Sequence, residues 1–506
     1  MYSAPALKPP TLDEVEEISK KLGLNIPLED LKGHKEFLDK MCGQLNILKD
    51  ITEPRLPVRY PRTPGYRPTE AENALNGWCW KTDIKGSPTG KLSGKRVGIK
   101  DNIGVAGVPM SVGSKMMEGH MPEYDATVVS RILDEGGVIK GKTTCEDLCF
   151  SGSSATSYNG PVLNPHDQTR SSGGSSSGNG ALIASGEIDM AIGSDQGGSI
   201  RIPAAWCGIV GLKPTFGLVP YTGALTLESS IDHLGPMART VYDCALLLEV
   251  IAGNDGLDSR QPMNIKVPEY TKLMTEEVSG MRVGLVKEGF EKCDPDIERT
   301  VRDTVQQLKT KGTTVDEISI PMHLKGCSIW IGLAFQGNYK TLIQGGGSSG
   351  KGFYPTTTQD FLEKAVKSHP RDIPPTIAPT LLLGEYLSQN YGSHFYSKAK
   401  NLERVLTDAY NTALEQYDVL MMPTICFRPT KLPPKDASIL DVVSHCRGIG
   451  VYNPRAFNIT GHPAITVPIQ DDGSLPIGLQ IVAKHYAEPT LFRIAQAVEN
   501  IHKGVV

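Results

Sequence analysis

Residues 171 to 220 read SSGGSSSGNGALIASGEIDMAIGSDQGGSIRIPAAWCGIVGLKPTFGLVP, and they specify the expected architecture. Apolar segments predict a helix over GALIASG, a strand over DMAIGSD and a second helix that starts at IRIPAAW, whose first turn tolerates Pro203. The strand runs directly into the glycine loop DQGGS, which opens the second helix. This order is typical of an α/β chain that presents a loop residue at one edge of its sheet.

Ser199 ends this glycine loop. Gly197 and Gly198 let the backbone turn its N–H groups toward one point, and successive N–H groups near a helix N-terminus can form an oxyanion hole. Short Gly-Ser strings are usually flexible linkers, but an apolar helix would not follow a linker at once. The upstream serines of GGSSSG are separated from Ser199 by one helix and one strand, which can return the chain to the same edge.

Strands and helices alternate on both sides of this segment. The predicted elements are a strand over 96–103, a helix over 125–136, a strand over 137–143, a helix over 241–253, a strand over 282–288 followed by a helix, and strands over 417–424 and 463–469. The fold class predicted from this alternation is α/β, with a mixed central β-sheet covered by α-helices.

Two regions differ from this pattern. Helical spacing of apolar residues, a capping box of Thr11 with Glu14 and a proline-rich stretch from Pro54 to Pro68 predict an N-terminal helical domain and linker over 1–75. Residues 76–506 then form the larger domain. Within it, residues from about 322 to 395 have weak periodicity and contain GGGSSGKG, which indicates a smaller inserted region; we expect it to line the substrate pocket.

Two short motifs suggest other chemistry. GGVIKGKT at 136–143 fits a phosphate loop, but its glycines follow a predicted helix and lead into a strand, the reverse of the required order. GSSSG at 174–178 fits a nucleophile elbow around Ser176, but the polar segment before it contains Pro165 and predicts no strand. A Ser-His-Asp hydrolase that uses His233, His462 or His485 remains the weaker enzyme hypothesis.

Composition narrows the class of protein. The formal charge of −4 and the lack of a basic patch argue against a nucleic-acid partner. Charged residues throughout the first thirty positions argue against a signal peptide, and no apolar run is long enough for a membrane span. The 10 scattered cysteines indicate reduced thiols, and the Cys145 and Cys149 pair lacks neighbouring ligands for zinc. We therefore expect a cytoplasmic enzyme without metal or cofactor.

The segment from Gly173 to Pro220 resembles the signature of the amidase signature family. The resemblance rests on GGSSSG, GSDQGGSIRIPAA and GLKPTFG, with VGIKDNI at 97–103 upstream and FNITGHPAITVP at 457–468 downstream, and it extends over nearly all of residues 90–490. It implies the amidase signature fold and a catalytic triad of serine, cis-serine and lysine.

Carried onto this sequence, the resemblance makes Ser199 the nucleophile, Ser175 the cis-serine and Lys100 the base. It implies that the backbone N–H groups of Gln196, Gly197, Gly198 and Ser199 form the oxyanion hole. We expect Asp195 and Arg201 to support the loop. Lysine accepts a proton only when its pKa is lowered, so Lys100 should lie on a buried strand.

The N-terminal helices and TCEDLCFSGSS at 144–154 resemble amidases of nitrile-degradation pathways, which implies a homodimer that hydrolyses small amides through an acyl-serine intermediate. Urethanase-like members are also similar, which extends the expected substrates to carbamates and esters. Ser177 and Thr144 stand where many members have glycine and asparagine. Two alternatives remain: the ammonia-generating amidase subunit of a tRNA-dependent amidotransferase, and a non-catalytic binding protein on an amidase scaffold.

Overall fold

The computed structural model describes residues 7–275, 277–345, 350–447, 452–469 and 475–502. The chain divides into two compact units, Met1–Leu56 and Pro57–Val506. The helices are α1 Leu12–Lys21, α2 Leu28–Ile47, α3 Thr127–Asp134, α4 Ser177–Ala184, α5 Arg201–Cys207, α6 Val241–Ile251, α7 Tyr270–Leu273, α8 Pro295–Gln307, α9 Gly326–Ile343, α10 Thr356–Ser368, α11 Ala378–Tyr391, α12 His394–Gln416, α13 Ile439–Arg447, α14 Tyr452–Thr460 and α15 Glu488–His502. The strands are β1 Trp78–Lys85, β2 Arg96–Lys100, β3 Val138–Thr143, β4 Leu163–Asn164, β5 Asp167–Ser171, β6 Met190–Asp195, β7 Val210–Lys213, β8 His233–Ala238, β9 Arg282–Val286, β10 Thr314–Ile318, β11 Val419–Pro423, β12 Ala464–Ile469 and β13 Ile477–Ala483.

The first unit is a pair of helices, α1 and α2. The predicted capping box starts α1: the Glu14 N–H donates to Thr11 Oγ1 at 3.2 Å, and the Thr11 N–H donates to Glu14 Oε2 at 2.6 Å. The unit ends at Leu56, earlier than the expected boundary at residue 75. The proline-rich stretch belongs to the second unit because the Tyr66 N–H donates to the Lys81 carbonyl of β1 at 2.9 Å, and Arg59 forms a 2.6 Å ion pair with Asp134.

In the described part of the chain, eleven strands form one mixed sheet in the order β1-β3-β2-β6-β8-β7-β12-β13-β11-β9-β10. The pairs of β2 with β3 and β6 are parallel, as are the pairs of β9 with β10 and β11, and the other pairs are antiparallel. The mixed sheet that the alternation predicted is confirmed.

Helices cover both faces of this sheet. Met190 and Ile192 of β6 belong to one apolar cluster, with residues of α3, α6 and α15. Ala191 lies between them in the chain but packs in a second cluster, with Ile183 of α4 and Ile200. Successive strand side chains point to opposite faces, so the two clusters are the two sides of the sheet.

The structure defines one region whose local structure the sequence left open, and it corrects one expectation. The region from about 322 to 395 is helical, since α9, α10, α11 and the start of α12 occupy most of it; residues 346–349 of GGGSSGKG lie outside the described residues. A short strand, β5, does precede GSSSG, but it pairs with β4 in a two-stranded ribbon that is separate from the main sheet. No helix in the described part of the chain is long and apolar enough to cross a bilayer.

Candidate active site

The candidate site lies where β2 and β6 end. The two strands pair in parallel, with Ile99 beside Ile192, so their carboxyl ends meet at the same edge of the sheet. Lys100 is the last residue of β2, and Asp195 is the last residue of β6. The glycine loop follows β6 directly and leads into α5, as the sequence predicted.

Lys100 is completely buried at this edge. Its Nζ donates to Ser175 Oγ at 2.8 Å and to Ser194 Oγ at 2.8 Å. Asn102 also donates to Ser194 Oγ, at 3.2 Å. The structure thus brings Lys100 and Ser175 into contact, as the resemblance implied. It also places Ser194 in hydrogen-bond contact with Lys100, a contact that the sequence did not predict although Ser194 directly precedes Asp195.

The serine cluster reaches the glycine loop through the backbone. The peptide bond between Gly174 and Ser175 is cis, and the Ser176 N–H donates to the Ser199 carbonyl at 3.2 Å. Gly174 is packed so closely that a Cβ there would lie 1.9 Å from the Ser153 carbonyl oxygen. Among the described residues, the Ser199 hydroxyl has no hydrogen-bond partner, so the proton relay from Ser199 through Ser175 stays a prediction.

Asp195 holds the glycine loop by its carboxylate. It accepts from the Gly198 N–H at 2.7 Å, from the Ile200 N–H at 3.1 Å, and from Arg201 at 2.9 and 3.0 Å. Burial raises the pKa of Asp195, but the Arg201 guanidinium outweighs it, so the net pKa is lowered and the group is ionised. Since Asp195 engages the Gly198 N–H, the remaining candidate oxyanion donors are the N–H groups of Gln196, Gly197 and Ser199.

Asn458 of α14 completes this buried network. Its Nδ2 donates to Asp195 Oδ1 at 2.8 Å and to the Asp195 carbonyl at 2.9 Å, while its Oδ1 accepts from Arg201 at 2.7 Å. Asn458 lies in FNITG, one of the segments that carry the family resemblance, but that resemblance implied no role for it. An asparagine between the apolar Phe457 and Ile459 is the available signal, because buried amides need partners.

Ser199 faces a cavity of about 200 Å³. Aromatic side chains form part of its wall, and Phe150 stacks on Trp330 with ring centroids 6.3 Å apart. Burial raises the pKa of one lining carboxyl, Asp232, to about 7. A cavity with aromatic and aliphatic walls and several polar or charged side chains suits a small molecule. The main lining residues are Phe150, Gln196, Gly197, Ser199, Leu227, Glu228, Ile231, Asp232, Trp330, Phe335, Asn338 and Arg455.

Cys149 also lines the cavity. Burial raises the pKa of its thiol, but the Cys145 thiol, Lys100 and the Ser175 hydroxyl lower it, so the net pKa of Cys149 is lowered. These thiols lie beside the candidate site without forming a metal centre: among the described residues, no group of three or more His, Cys, Asp or Glu side chains could hold a metal ion.

The histidines of the weaker hypothesis have other partners. His233 Nδ1 contacts the Ile231 carbonyl at 2.8 Å, and the rings of His462 and His485 stack at 4.0 Å. His462 also contacts Thr460 and Asn411, and His485 contacts the Thr460 carbonyl. In the described part of the chain, none of the three forms a hydrogen bond with Ser176 or Ser199, so the geometry does not support a Ser-His-Asp arrangement.

Comparison with known proteins agrees with this geometry. Residues 71–492 match the family model described as Amidase. The chain is 39% identical over 502 residues to an enantioselective amidase of Rhodococcus rhodochrous, covering 97% of this chain and 95% of the relative. It is also 34% identical over 450 residues to a glutamyl-tRNA(Gln) amidotransferase subunit of Methanosarcina acetivorans, covering 87% and 92% of the two chains.

A solved structure has the same architecture. The crystal structure of the corresponding glutamyl-tRNA(Gln) amidotransferase subunit from Thermotoga maritima superposes with a TM-score of 0.71 at 29% identity, covering 85% of this chain and 88% of that one. The sheet, the glycine loop and the extent of these matches agree with the resemblance that the signature segment indicated. The chain belongs to the amidase signature family.

Proposed function

We propose that this enzyme hydrolyses small carboxylic amides to an acid and ammonia or an amine, with Ser199 as nucleophile, Ser175 as proton relay and Lys100 as base. The observation that carries the proposal is the 2.8 Å hydrogen bond between the buried Lys100 Nζ and Ser175 Oγ, next to a cavity that Ser199 lines. The near full-length similarity to an enantioselective amidase supports the same reaction class.

The proposed reaction has two acyl-transfer steps. Lys100, in its neutral form, takes the Ser199 proton through Ser175, and Ser199 Oγ attacks the amide carbonyl. The N–H groups of Gln196, Gly197 and Ser199 stabilise the negative oxygen of the tetrahedral intermediate. The proton returns to the leaving nitrogen, whose bond to carbon breaks, and water then hydrolyses the acyl-serine by the same route.

Substitution of the triad tests the proposal. We expect Ser199→Ala to lose at least 10³-fold in kcat/KM because no other group supplies the nucleophile, and Lys100→Ala to lose nearly as much. Ammonia release from small amides measures the activity, and circular dichroism verifies the fold. A fluorophosphonate probe should label Ser199, as located by mass spectrometry.

Ser176→Ala is the matched control, because Ser176 adjoins Ser175, its hydroxyl donates to the Ser194 carbonyl at 3.4 Å, and alanine keeps the backbone N–H that contacts Ser199. It should retain most of the activity. Near wild-type turnover in Ser199→Ala or Lys100→Ala, or a label on Ser176, would refute the assignment.

A second candidate is the ammonia-generating component of a tRNA-dependent amidotransferase. It is favoured by the 34% identity to the Methanosarcina acetivorans amidotransferase subunit over 87% of the chain. The two reactions differ in their need for partner proteins. Ammonia release from simple amides by the purified chain alone supports the amidohydrolase, whereas turnover only of glutamine, and only with partner proteins, supports the amidotransferase.

The proposal also concerns which leaving groups the enzyme accepts on the substrate carbonyl. Carbamates and esters present the same carbonyl to Ser199, so we include them as substrates alongside amides. A panel that pairs one acyl group with an amide, a carbamate or an ester leaving group measures this preference directly, with amine or alcohol release as the readout.

We also propose that the chain is a homodimer that associates through its N-terminal unit. Phe37, Met41 and Leu45 follow one another at four-residue spacing on α2, so they lie on one side of the helix. All three are exposed: Phe37 by 59%, Met41 by 40% and Leu45 by 54%. An apolar stripe of this kind supports burial against a second copy.

A further inference from the structure

Trp330 connects the inserted helical region with the glycine loop. Its indole Nε1–H donates to the Gln196 carbonyl at 2.6 Å. Trp330 and Gln196 are 8% and 7% exposed, so the hydrogen bond is largely shielded from water. A short, shielded hydrogen bond is stronger than one in solvent because the local dielectric constant is lower.

This hydrogen bond engages the Gln196 carbonyl oxygen, which belongs to the same peptide unit as a candidate oxyanion donor, the Gly197 N–H. The Gln196 carbonyl and the Gly197 N–H belong to one peptide unit, which is planar and rigid. In a trans peptide the two groups point in opposite directions. An indole that fixes the direction of the Gln196 carbonyl therefore also fixes the direction of the Gly197 N–H.

The loop provides no comparable restraint on this peptide. The Asp195 carboxylate holds the N–H groups of Gly198 and Ile200, and neither belongs to the Gln196–Gly197 peptide. Gly197 and Gly198 lack a Cβ, so their backbones allow more conformations than those of other residues. Without the indole, the peptide could turn its N–H away from the reaction centre at little cost.

The Trp330 indole also contacts two other side chains. Phe150 stacks on the indole ring at a centroid distance of 6.3 Å. Arg455, on α14, places its Cζ 4.4 Å from the centroid of the same ring. Its contact with the loop is close, since a Cβ at Gly197 would lie 3.2 Å from Trp330 Cζ2. Trp330 is therefore pre-organised before any substrate binds.

We infer that Trp330 is a positioning residue for catalysis: through the Gln196 carbonyl, it aims the Gly197 N–H at the oxygen that becomes negatively charged. The inference rests on the proposed function, because it needs Ser199 as nucleophile. A residue in this role stabilises the transition state more than the bound substrate, so its loss lowers kcat more than it raises KM.

Trp330→Phe removes the N–H donor and keeps an aromatic ring. We expect kcat to fall about 10-fold to 100-fold, somewhat less than for direct loss of an oxyanion donor. The fall should be similar for a small aliphatic amide and an aromatic amide, since the effect lies at the carbonyl. Affinity for phenylboronic acid, which forms a tetrahedral adduct with the serine, should fall at least fivefold, whereas affinity for the benzoate product changes less than threefold.

Trp80→Phe is the matched control. The Trp80 indole also donates to a backbone carbonyl, that of Pro64 at 2.9 Å, but it lies on the edge strand β1, which β3 separates from β2. It should retain kcat within twofold. If Trp330→Phe does not fold, Trp330→3-benzothienylalanine replaces the N–H with sulfur in a ring of nearly the same shape and tests the same prediction.

Retention of kcat within twofold, or a loss confined to the aromatic substrate with unchanged boronate affinity, would overturn the positioning role. That outcome differs from failure of the proposed function, which would appear as undiminished turnover in Ser199→Ala. Inactive Ser199→Ala together with unaffected Trp330→Phe rejects only the inference about Trp330.

Discussion

Asp195 has a structural role in the site, because its carboxylate connects the glycine loop with two other buried side chains. Its carboxylate is shared by loop N–H groups, by Arg201 and by Asn458, all of them buried. Removing one member of a buried ion pair leaves the other charge without compensation, which costs about 3–5 kcal/mol. The Asp195 and Arg201 pair is therefore expected to matter for both stability and catalysis.

Asp195→Asn tests this expectation. We predict a fall of about 3 kcal/mol or more in the free energy of unfolding, because Arg201 stays buried beside a neutral amide. We also predict a large loss of kcat, because the Gly198 and Ile200 N–H groups lose a charged acceptor. Urea unfolding followed by circular dichroism and steady-state kinetics measure the two effects.

An exposed ion pair provides the control. Glu16 and Lys20 contact each other at 2.6 Å on α1, with side chains 39% and 66% exposed, and such pairs contribute little. Glu16→Gln should change the free energy of unfolding by less than about 1 kcal/mol. A comparably small change in Asp195→Asn would contradict the structural role that we assign to the buried pair.

Residues of the site were predictable to different degrees. Lys100, Ser175 and Ser199 came from a resemblance in their own motifs, and the structure brings Lys100 and Ser175 into contact. A place for Ser194 near the site could have been predicted, because it lies in strand β6 directly before the glycine loop. Asn458 offered a local signal, an asparagine between apolar residues, but its partners Asp195 and Arg201 lie far away in the chain. Trp330 offered none, because its role depends on the distant Gln196 carbonyl.

Secondary-structure elements were predicted well where their apolar residues recur with a clear helical or strand period, or where a glycine or proline marks their end. The strand ending at Lys100, α3, β6 and α8 lie where the alternation placed them. Strand β8 was missed because HLGPMA contains Gly and Pro, which usually interrupt strands. Helix α9 is buried on several sides, so its apolar residues do not form the single stripe that a surface helix shows.

The packing of helix α10 involves a buried histidine, His120, whose protonation makes the stability of the protein depend on pH. His120 Nε2 contacts Thr358 Oγ1 of α10 at 3.0 Å, and its ring packs against Phe361 at 5.0 Å. Burial lowers the pKa of His120 to about 4, helped by repulsion from Lys142 and opposed by Asp101. The imidazole therefore stays neutral in the folded protein at pH values where the unfolded chain takes up a proton.

The free energy of unfolding should fall as the pH drops from about 6.5 to about 4, because protonation favours the unfolded state in this range. His120 alone accounts for up to about 3 kcal/mol of that fall. In His120→Gln the same pH titration of urea midpoints should be shallower. His34→Gln, which changes an exposed histidine of α2, should reproduce the wild-type slope; equal slopes in all three proteins would contradict the assignment to His120.

For the whole molecule, the sequence predicted an N-terminal helical domain and linker over 1–75, and the first compact unit ends at Leu56. Proline-rich composition indicated a linker up to residue 75, because proline ends helices. Composition does not report that this stretch pairs with β1 through Tyr66 and Lys81. The inserted region raised the same difficulty, since its packing against the rest of the second unit involves residues far apart in the chain.

The proposed dimer is tested at this scale. We predict that the wild-type chain has the mass of two copies in solution, and that Phe37→Glu combined with Leu45→Glu yields the mass of one, because charges on the apolar stripe of α2 resist burial. Light scattering after size-exclusion chromatography measures the mass. Leu382→Glu is the control, since Leu382 is 72% exposed on α11 in the other unit. A monomeric wild type, or an unchanged mass in the double variant, would contradict the proposal.

The wide sequence spacing of the site's contacts has a consequence for the timing of synthesis. Lys100 and Ser175 are 75 positions apart, Gln196 and Trp330 are 134 apart, and Asp195 and Asn458 are 263 apart. A ribosome therefore makes the proposed nucleophile Ser199 and the proposed base Lys100 well before it makes Asn458, which lies 263 positions after Asp195. During synthesis, the nascent chain thus carries Ser199 before Asn458 is available to hold Asp195 and the glycine loop.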